Sequence, residues 1–231
     1  LIESILSSGS ENVNSLGECH VVNISILEQI GPKIYTKDFN LKNFTFEINL
    51  KNFNDSVLRR YDQFKFDKTK HNKKLIDKSL ENFFNIDVIL KIFPNAKFIH
   101  SNRNYEDTAI AIYQSMLPEL PWTHSIPDIL AYIDNNIKIM NYFKKKYSKK
   151  ILTIDLENLT EKKEEYTKKN FSFCGLKWSP EVVNFYEKKN LIIKTLSGTQ
   201  LRKKISKYNQ EKYKPYQRIL EDFKKDYTWL D

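Results

Sequence analysis

The sequence predicts an α/β fold, in which helices cover both faces of a parallel sheet. Short apolar runs typical of buried strands alternate along the chain with longer stretches of helical periodicity. Hydrophobic residues make up 40% of the 231 residues, which is enough to fill a core and excludes wholesale disorder. Because both halves of the chain carry similar apolar runs, we expect residues 1–231 to form a single domain.

The predicted elements begin at Leu1, which lies within a stretch that reads as a helix, and a further helix opens at the run Gly17-Glu18-Cys19-His20. Residues 35–74 are rich in Asn, Lys, Asp and Phe without periodicity, and we expect them to form a lid or an acceptor-binding excursion. Beyond them, strands at residues 74–76, 97–100 and 151–154 alternate with helices at residues 81–93, 106–117, 126–147 and 157–173.

Charge and cysteine content exclude several classes of protein. The chain has 38 Lys and Arg against 29 Asp and Glu, a formal net charge of +9, which favours phosphates, polyanions or acidic surfaces as partners. Short lysine runs such as residues 144–146 can equally serve solubility. No apolar run approaches the ~20 residues that a bilayer requires, so we expect no transmembrane helix. Cys19 and Cys174 are far apart, which predicts neither a disulfide framework nor a zinc site and favours the reducing cytoplasm.

Four polar runs lie where an open α/β sheet binds ligands, at strand exits and helix starts. Arg103 follows one predicted strand and has a planar fork that suits a phosphate, although it could instead pair with Asp107 at the surface. Lys78 follows another strand, and its alternative is an ordinary solvated lysine. Glu18 stands at a helix start, where its alternative role is to complement the helix dipole. Residues 197–202 form a loop rich in hydrogen-bond donors, or else an ordinary capped turn.

These runs occur together with further segments in a recognisable order. They are residues 1–8, 17–18, 77–78, 93–100, 103–104, 107–108 and 173–176, with Trp178, Thr195, Ser197, Gln200, Arg202 and Ile205. In combination they resemble the sulfotransferases that use 3′-phosphoadenosine-5′-phosphosulfate (PAPS). The closest resemblance is to bacterial proteins that carry tetratricopeptide repeats ahead of a sulfotransferase domain related to tyrosylprotein sulfotransferase. It covers nearly the whole chain.

The resemblance implies a P-loop-type α/β fold, PAPS as the sulfuryl donor, a hydroxyl-bearing acceptor and no metal. Glu18 matches the family's catalytic base, and Lys78 and Ser197 match residues that stabilise charge on the leaving phosphate oxygen. Arg103 matches the arginine that binds the 3′-phosphate. The family's second nucleotide-binding segment corresponds here to Gln200 and Arg202.

The chain departs from the family pattern at several positions. Ala111 stands where a serine usually donates a hydroxyl to the 3′-phosphate, a loss that Thr108 or Ser115 could offset. Tyr105 replaces a common proline, and Tyr213 stands where a tryptophan is usual. The family's phosphosulfate loop, of the type Pro-Arg-Ser-Gly-Thr-Thr, would end immediately before residue 1. No GxGxxG or GxxxxGK[ST] motif occurs among the 5 glycines, so we expect the first strand and this loop to lie upstream.

We therefore expect a cytoplasmic PAPS-dependent sulfotransferase with no nucleic-acid or membrane partner. A Glu in the base position leans towards protein tyrosine or glycan acceptors and away from small phenols. The alternatives are a carbohydrate sulfotransferase, or a degenerate domain that binds without catalysis, which Ala111 and the missing loop favour. His20 is an alternative base to Glu18. A nucleic-acid binder is least favoured, because Lys is spread along the chain and no recognised nucleic-acid-binding module appears.

Overall fold

The computed structural model describes residues 1–34, 36, 40, 47–64, 74–187, 204–209 and 211–230. The described strands are β1 (Val13–Ser15), β2 (Lys74–Ile76), β3 (Phe98–Asn102) and β4 (Ile151–Asp155). The α-helices are α1 (Ile2–Ser8), α2 (Val21–Ile34), α3 (Leu50–Gln63), α4 (Ile86–Ile92), α5 (Tyr105–Ser115), α6 (Ile126–Lys146), α7 (Leu156–Glu161) and α8 (Lys163–Cys174). Shorter 3₁₀ helices span Leu80–Asn85, Pro121–His124, Pro180–Glu187 and Lys214–Phe223.

The described residues divide into two compact units. The first lies within residues 1–96 and 185–202. In it, β1 and β2 pair in parallel, with Val13 opposite Lys74. Helix α1 packs on β1, and α2 packs on α3. Phe53 and Val57 on α3, one helical turn apart, are fully buried, so α3 presents an apolar face to this core.

The second unit lies within residues 97–184 and 203–231. Strands β3 and β4 pair in parallel from Phe98 opposite Ile151 to Asn102 opposite Asp155. Helix α5 begins where the Asn104 side chain accepts a hydrogen bond from the backbone N–H of Asp107 at 2.9 Å, an N-cap that fixes the helix start directly after β3. The core of this unit is built by Ala109, Ile110, Ile129, Leu130, Ile133, Tyr213, Leu220 and Leu230.

The α/β class and the parallel pairing of strands are confirmed, while some predicted elements differ. The helix predicted over residues 81–93 is a 3₁₀ helix followed by α4, because Asn85 leaves helical geometry and its side chain bonds the backbone carbonyl of Glu81 at 3.2 Å. The helix predicted over residues 157–173 is two helices, since Lys162 has a non-helical ψ of 58°. Strand β1 was not predicted. The observed pairs form two sheets of two strands each.

The described structure covers the remaining expectations about the fold only in part. Of the predicted excursion at residues 35–74, the described portion contains α3, and its role as a lid stays a prediction. Within the described ranges, no helix combines the length and apolarity that crossing a bilayer demands. The single-domain expectation and the P-loop details also remain predictions.

Candidate active site

The predicted base and the predicted leaving-group residue meet at one edge of the β1–β2 sheet. Because the two strands run parallel, their carboxyl ends lie together, and the pairing continues through a 2.9 Å bond from Leu16 N to Ile76 O and a 2.8 Å bond from Lys78 N to Gly17 O. The next side chains are Glu18 and Lys78, and the Lys78 ammonium donates to the Glu18 carboxylate. Strand pairing therefore brings together two charges that are 60 positions apart in sequence.

The loop that carries Glu18 has an unusual backbone conformation. Gly17 has φ 67° and His20 has φ 52°, so left-handed residues lie on both sides of Glu18 and Cys19. Hydrogen bonds hold the loop at each end. Glu3 on α1 accepts from the Gly17 backbone N–H at 3.0 Å, and the backbone N–H of His20 donates to the Ser79 hydroxyl at 2.7 Å. The Glu18 carboxylate is thus presented by a fixed turn.

A half-buried acid beside this pair, Asp77, has a structural role. Asp77 accepts from the Ser79 backbone N–H at 2.8 Å, from the Ser79 hydroxyl at 2.6 Å and from the Tyr61 hydroxyl at 3.2 Å. Burial raises the pKa of Cys19 to about 12, and the Asp77 carboxylate adds to this rise. Burial and Asp77 raise the pKa of Tyr61 as well. The thiol and the phenol are therefore neutral at physiological pH.

His20, the alternative base, faces another carboxylate. Its Nδ1 lies 3.1 Å from the Glu81 carboxylate, and the His20 side chain is 42% exposed. The Glu18 side chain is 53% exposed, so it is the more accessible of the two candidates. Sequence reasoning did not assign the supporting residues Glu3, Tyr61, Ser79 and Glu81. Ser79 lies in the polar run Asp77-Lys78-Ser79 directly after a strand, and Glu3 lies in the family-like run 1–8, but neither was given a role.

Arg103 lies at the carboxyl end of β3, as predicted, in the second unit. Its Nη2 donates to the backbone carbonyl of Asp107 at 2.8 Å, and its Nε donates to the Thr108 hydroxyl at 3.2 Å. The guanidinium carbon lies 6.0 Å from the ring centre of Tyr208 and 5.5 Å from that of Tyr213. An arginine has five N–H groups, so among the described residues two are used and three remain at the Nη1 and Nη2 end.

The alternative of a surface ion pair between Arg103 and Asp107 is wrong. Asp107 is buried, with 3% of its surface exposed, and its carboxylate accepts a hydrogen bond from the Tyr208 hydroxyl. Burial raises the pKa of Tyr208, the bond to Asp107 raises it further, and Arg103 opposes the rise. Arg103 contacts Asp107 through the backbone, so its fork is not neutralised by that acid. Sequence reasoning missed Tyr208, which lies 101 positions from Asp107.

The two candidates to replace the missing hydroxyl at Ala111 differ in position. The Thr108 hydroxyl accepts from Arg103 and donates to the Asn104 carbonyl at 2.7 Å, so it lies beside the guanidinium. The Ser115 hydroxyl donates to the Ala111 carbonyl at 2.7 Å, two helical turns further along α5. Tyr213, which stands in for the usual tryptophan, is buried and keeps an aromatic ring against Arg103.

The remaining predicted residues cannot be placed. Ser197, Gln200 and Arg202 lie outside the described residues. Within the described ranges, no group of three or more His, Cys, Asp or Glu side chains is arranged to hold a metal ion.

The fold and these residues define an α/β protein with charged side chains at the exits of parallel strands, the place where such folds bind ligands. The model of the sulfotransferase family matches residues 1–180, so the chain belongs to the sulfotransferase family. The matched region contains Glu18, Lys78 and Arg103. Membership in this family supports sulfuryl transfer in general.

The chain is also similar to an uncharacterized protein of Aquifex aeolicus (strain VF5). The two are 33% identical over 151 residues, which is 64% of this chain and 20% of the relative. The aligned part therefore spans about a fifth of that longer protein.

Proposed function

We propose that this domain transfers a sulfuryl group from PAPS to a hydroxyl acceptor, with Glu18 as the general base and Lys78 as the group that stabilises the leaving oxygen. The contact between these two side chains carries the proposal. A carboxylate and an ammonium from distant parts of the chain lie together at the exits of paired parallel strands in a sulfotransferase-family chain. Acid–base work and charge stabilisation need those two groups near one reacting centre.

The residues present fit an anionic nucleotide donor. Three N–H groups of Arg103 are not used by contacts with the described residues. The guanidinium that carries them is held in place by its bonds from Nε to Thr108 and from Nη2 to the Asp107 carbonyl. We assign Arg103 to the 3′-phosphate. The Thr108 hydroxyl lies beside the guanidinium and accepts from it, but its one hydrogen is donated to the Asn104 carbonyl, so it does not offset Ala111 in this conformation. By family analogy we also assign Ser197 to the leaving oxygen and Gln200 and Arg202 to the nucleotide.

Each protein group then has one task in the reaction. PAPS supplies an activated sulfuryl group joined to a phosphate oxygen. Glu18 takes the proton from the acceptor hydroxyl as that oxygen forms its bond to sulfur. Lys78 exchanges the Glu18 carboxylate for the phosphate oxygen that is released as the sulfur–oxygen bond breaks, and its ammonium stabilises the charge on that oxygen. The products are a sulfate ester and adenosine 3′,5′-bisphosphate.

By family analogy we propose that the donor site also uses a phosphosulfate loop of the type Pro-Arg-Ser-Gly. By the same analogy we propose that the parent protein is of the subtype that carries tetratricopeptide repeats.

For the acceptor we propose protein tyrosine, with a glycan hydroxyl as the alternative. The reason is the carboxylate base, which rests on family analogy rather than on a contact. A non-catalytic binding domain is the competing function, and Ala111 is the observation that favours it. The intact pair of Glu18 and Lys78 opposes it, because a domain used only for binding has no need of a base beside an ammonium.

The test measures release of adenosine 3′,5′-bisphosphate from PAPS by the full-length parent protein, with a tyrosine-containing peptide or an oligosaccharide as the acceptor. Glu18→Gln should lower turnover by ~10²–10⁴-fold and leave the Kd for the nucleotide nearly unchanged. Glu11→Gln, which alters an exposed carboxylate in the turn before β1, is the matched control and should keep full turnover. An active Glu18→Gln enzyme together with an inactive His20→Ala enzyme would move the base to His20. A wild-type protein that binds PAPS and sulfates neither acceptor would favour the non-catalytic domain.

A further inference from the structure

We propose that Tyr208 occupies the Asp107 carboxylate and so keeps this acid from competing for Arg103. The guanidinium fork is then left for the 3′-phosphate of the nucleotide. The inference rests on the proposed function, in which Arg103 binds that phosphate, and it makes Tyr208 a positioning residue that determines nucleotide specificity.

The geometry places a buried anion directly beside the arginine. Arg103 donates to the backbone carbonyl of Asp107 at 2.8 Å, so its guanidinium lies next to the residue whose carboxylate it could pair with. That carboxylate instead accepts the hydroxyl hydrogen bond of Tyr208. Among the described residues it has no other side-chain hydrogen-bond donor, and only 3% of the Asp107 surface is exposed.

A buried carboxylate needs a donor, and Arg103 is a second candidate beside Tyr208 because it already bonds the Asp107 backbone. An unpaired charge in a buried position is strongly unfavourable, and a bidentate bond with a guanidinium is among the strongest ways to compensate it. If the phenol were absent, we expect the fork of Arg103 to turn towards this carboxylate. Its three remaining N–H groups would then be drawn to Asp107 and withdrawn from a phosphate.

The phenol is suited to this role because it is neutral and is held independently of Arg103. Burial and the bond to Asp107 raise the pKa of Tyr208, so it stays protonated and remains a donor at neutral pH. Its backbone N–H donates to the Thr160 hydroxyl at 3.0 Å, and Lys207 beside it bonds Glu161 at 2.7 Å. These contacts fix residues 204–209 on α7, so the position of the hydroxyl does not depend on the arginine.

The experiment compares Kd values of the full-length parent protein for adenosine 3′,5′-bisphosphate and adenosine 5′-monophosphate by calorimetry. The Kd for adenosine 5′-monophosphate divided by the Kd for adenosine 3′,5′-bisphosphate measures the contribution of the 3′-phosphate. The Arg103→Ala variant gives the lowest value that this ratio should reach. Tyr208→Phe should lower the ratio by at least ~10-fold, although the ring remains over Arg103. Tyr216→Phe is the matched control, because Tyr216 is 49% exposed, and it should leave the ratio unchanged.

Removal of the competing charge separates this role from a merely structural one. Adding Asp107→Asn to Tyr208→Phe should restore the ratio to within about threefold of wild type, since a neutral amide no longer attracts the guanidinium. Asp107→Asn alone should also stay within about threefold of wild type. A double variant no better than Tyr208→Phe, or a tenfold loss with Asp107→Asn alone, would overturn the inference. A wild-type ratio near one would instead contradict the assignment of Arg103 in the proposed function.

Discussion

Gly17 offers a test of whether the loop backbone positions Glu18 for catalysis. Gly17 has φ 67°, a conformation that costs a residue with a Cβ about 1–2 kcal/mol. Its backbone N–H bonds Glu3 at 3.0 Å and its carbonyl accepts from Lys78 at 2.8 Å, so the residue cannot relax without breaking one of these bonds. Gly17→Ala should therefore destabilise the fold and also move the carboxylate that follows it.

The chain provides a matched control at Gly175. This residue ends α8 with φ 63°, and a Cβ added there would meet nothing within 4 Å. Gly175→Ala should cost the same ~1–2 kcal/mol through the backbone alone, without affecting Glu18. Both variants should lower the thermal midpoint by roughly 2–8 °C, at ~2–4 °C per kcal/mol for a chain of this size.

Turnover should separate the two variants. A displacement of ~1 Å in a catalytic group can cost ~10²-fold in rate, so Gly17→Ala should lower kcat by roughly that factor. Gly175→Ala should keep kcat within about twofold of wild type when both are assayed well below their midpoints. If both variants lose the same stability and both keep a kcat close to that of wild type, the argument that this turn positions the base is refuted.

Two other predictions concern Lys78 and His100. Lys78→Ala should lower turnover more for donors with poor leaving groups than for donors with good ones, and an equal loss across a donor series would contradict its role at the leaving oxygen. Burial lowers the pKa of His100 to about 4, Lys144 adds to this effect, and Asn136 and Asp155 oppose it. Because the unfolded chain takes up this proton near pH 6.5, the stability that the neutral form provides is present above that pH and is lost as the pH falls towards 4. Denaturant midpoints should therefore fall more steeply over that range in wild type than in His100→Asn, and parallel curves would contradict the burial argument.

The local sequence pattern predicted the strands and helices that carry a clear run or stripe of apolar residues. β3 begins with two half-buried apolar residues, β4 contains the buried Ile151 and Ile154, and α6 carries its apolar stripe over 21 residues, so each was predicted within two residues at either end. β1 has three residues and follows a polar turn, so nothing local marks it as a strand. It forms because β2, more than 50 positions later, supplies its hydrogen-bonding partner.

The same distinction applies to the candidate site. Glu18, Lys78 and Arg103 could be predicted because each follows a strand or begins a helix, a position that sequence reveals. The partners that hold them could not, since the bond between Tyr208 and Asp107 joins residues 101 positions apart, and it depends on how residues 204–209 pack on α7. Contacts of this kind arise from tertiary packing and leave no periodic trace in the sequence.

Glu18 lies beside Lys78 and Asp107 lies beside Arg103, but the charges of the two acids are compensated in different ways. Lys78 and Glu18 are 35% and 53% exposed, and an exposed ion pair contributes only about 0–1 kcal/mol. Exchange of the carboxylate for a phosphate oxygen should therefore cost little, as the role proposed for Lys78 requires. Asp107 is buried, where breaking an ion pair would cost about 3–5 kcal/mol. Tyr208 donates to that acid in place of such a pair, and in the proposed function this leaves the Arg103 fork for the 3′-phosphate.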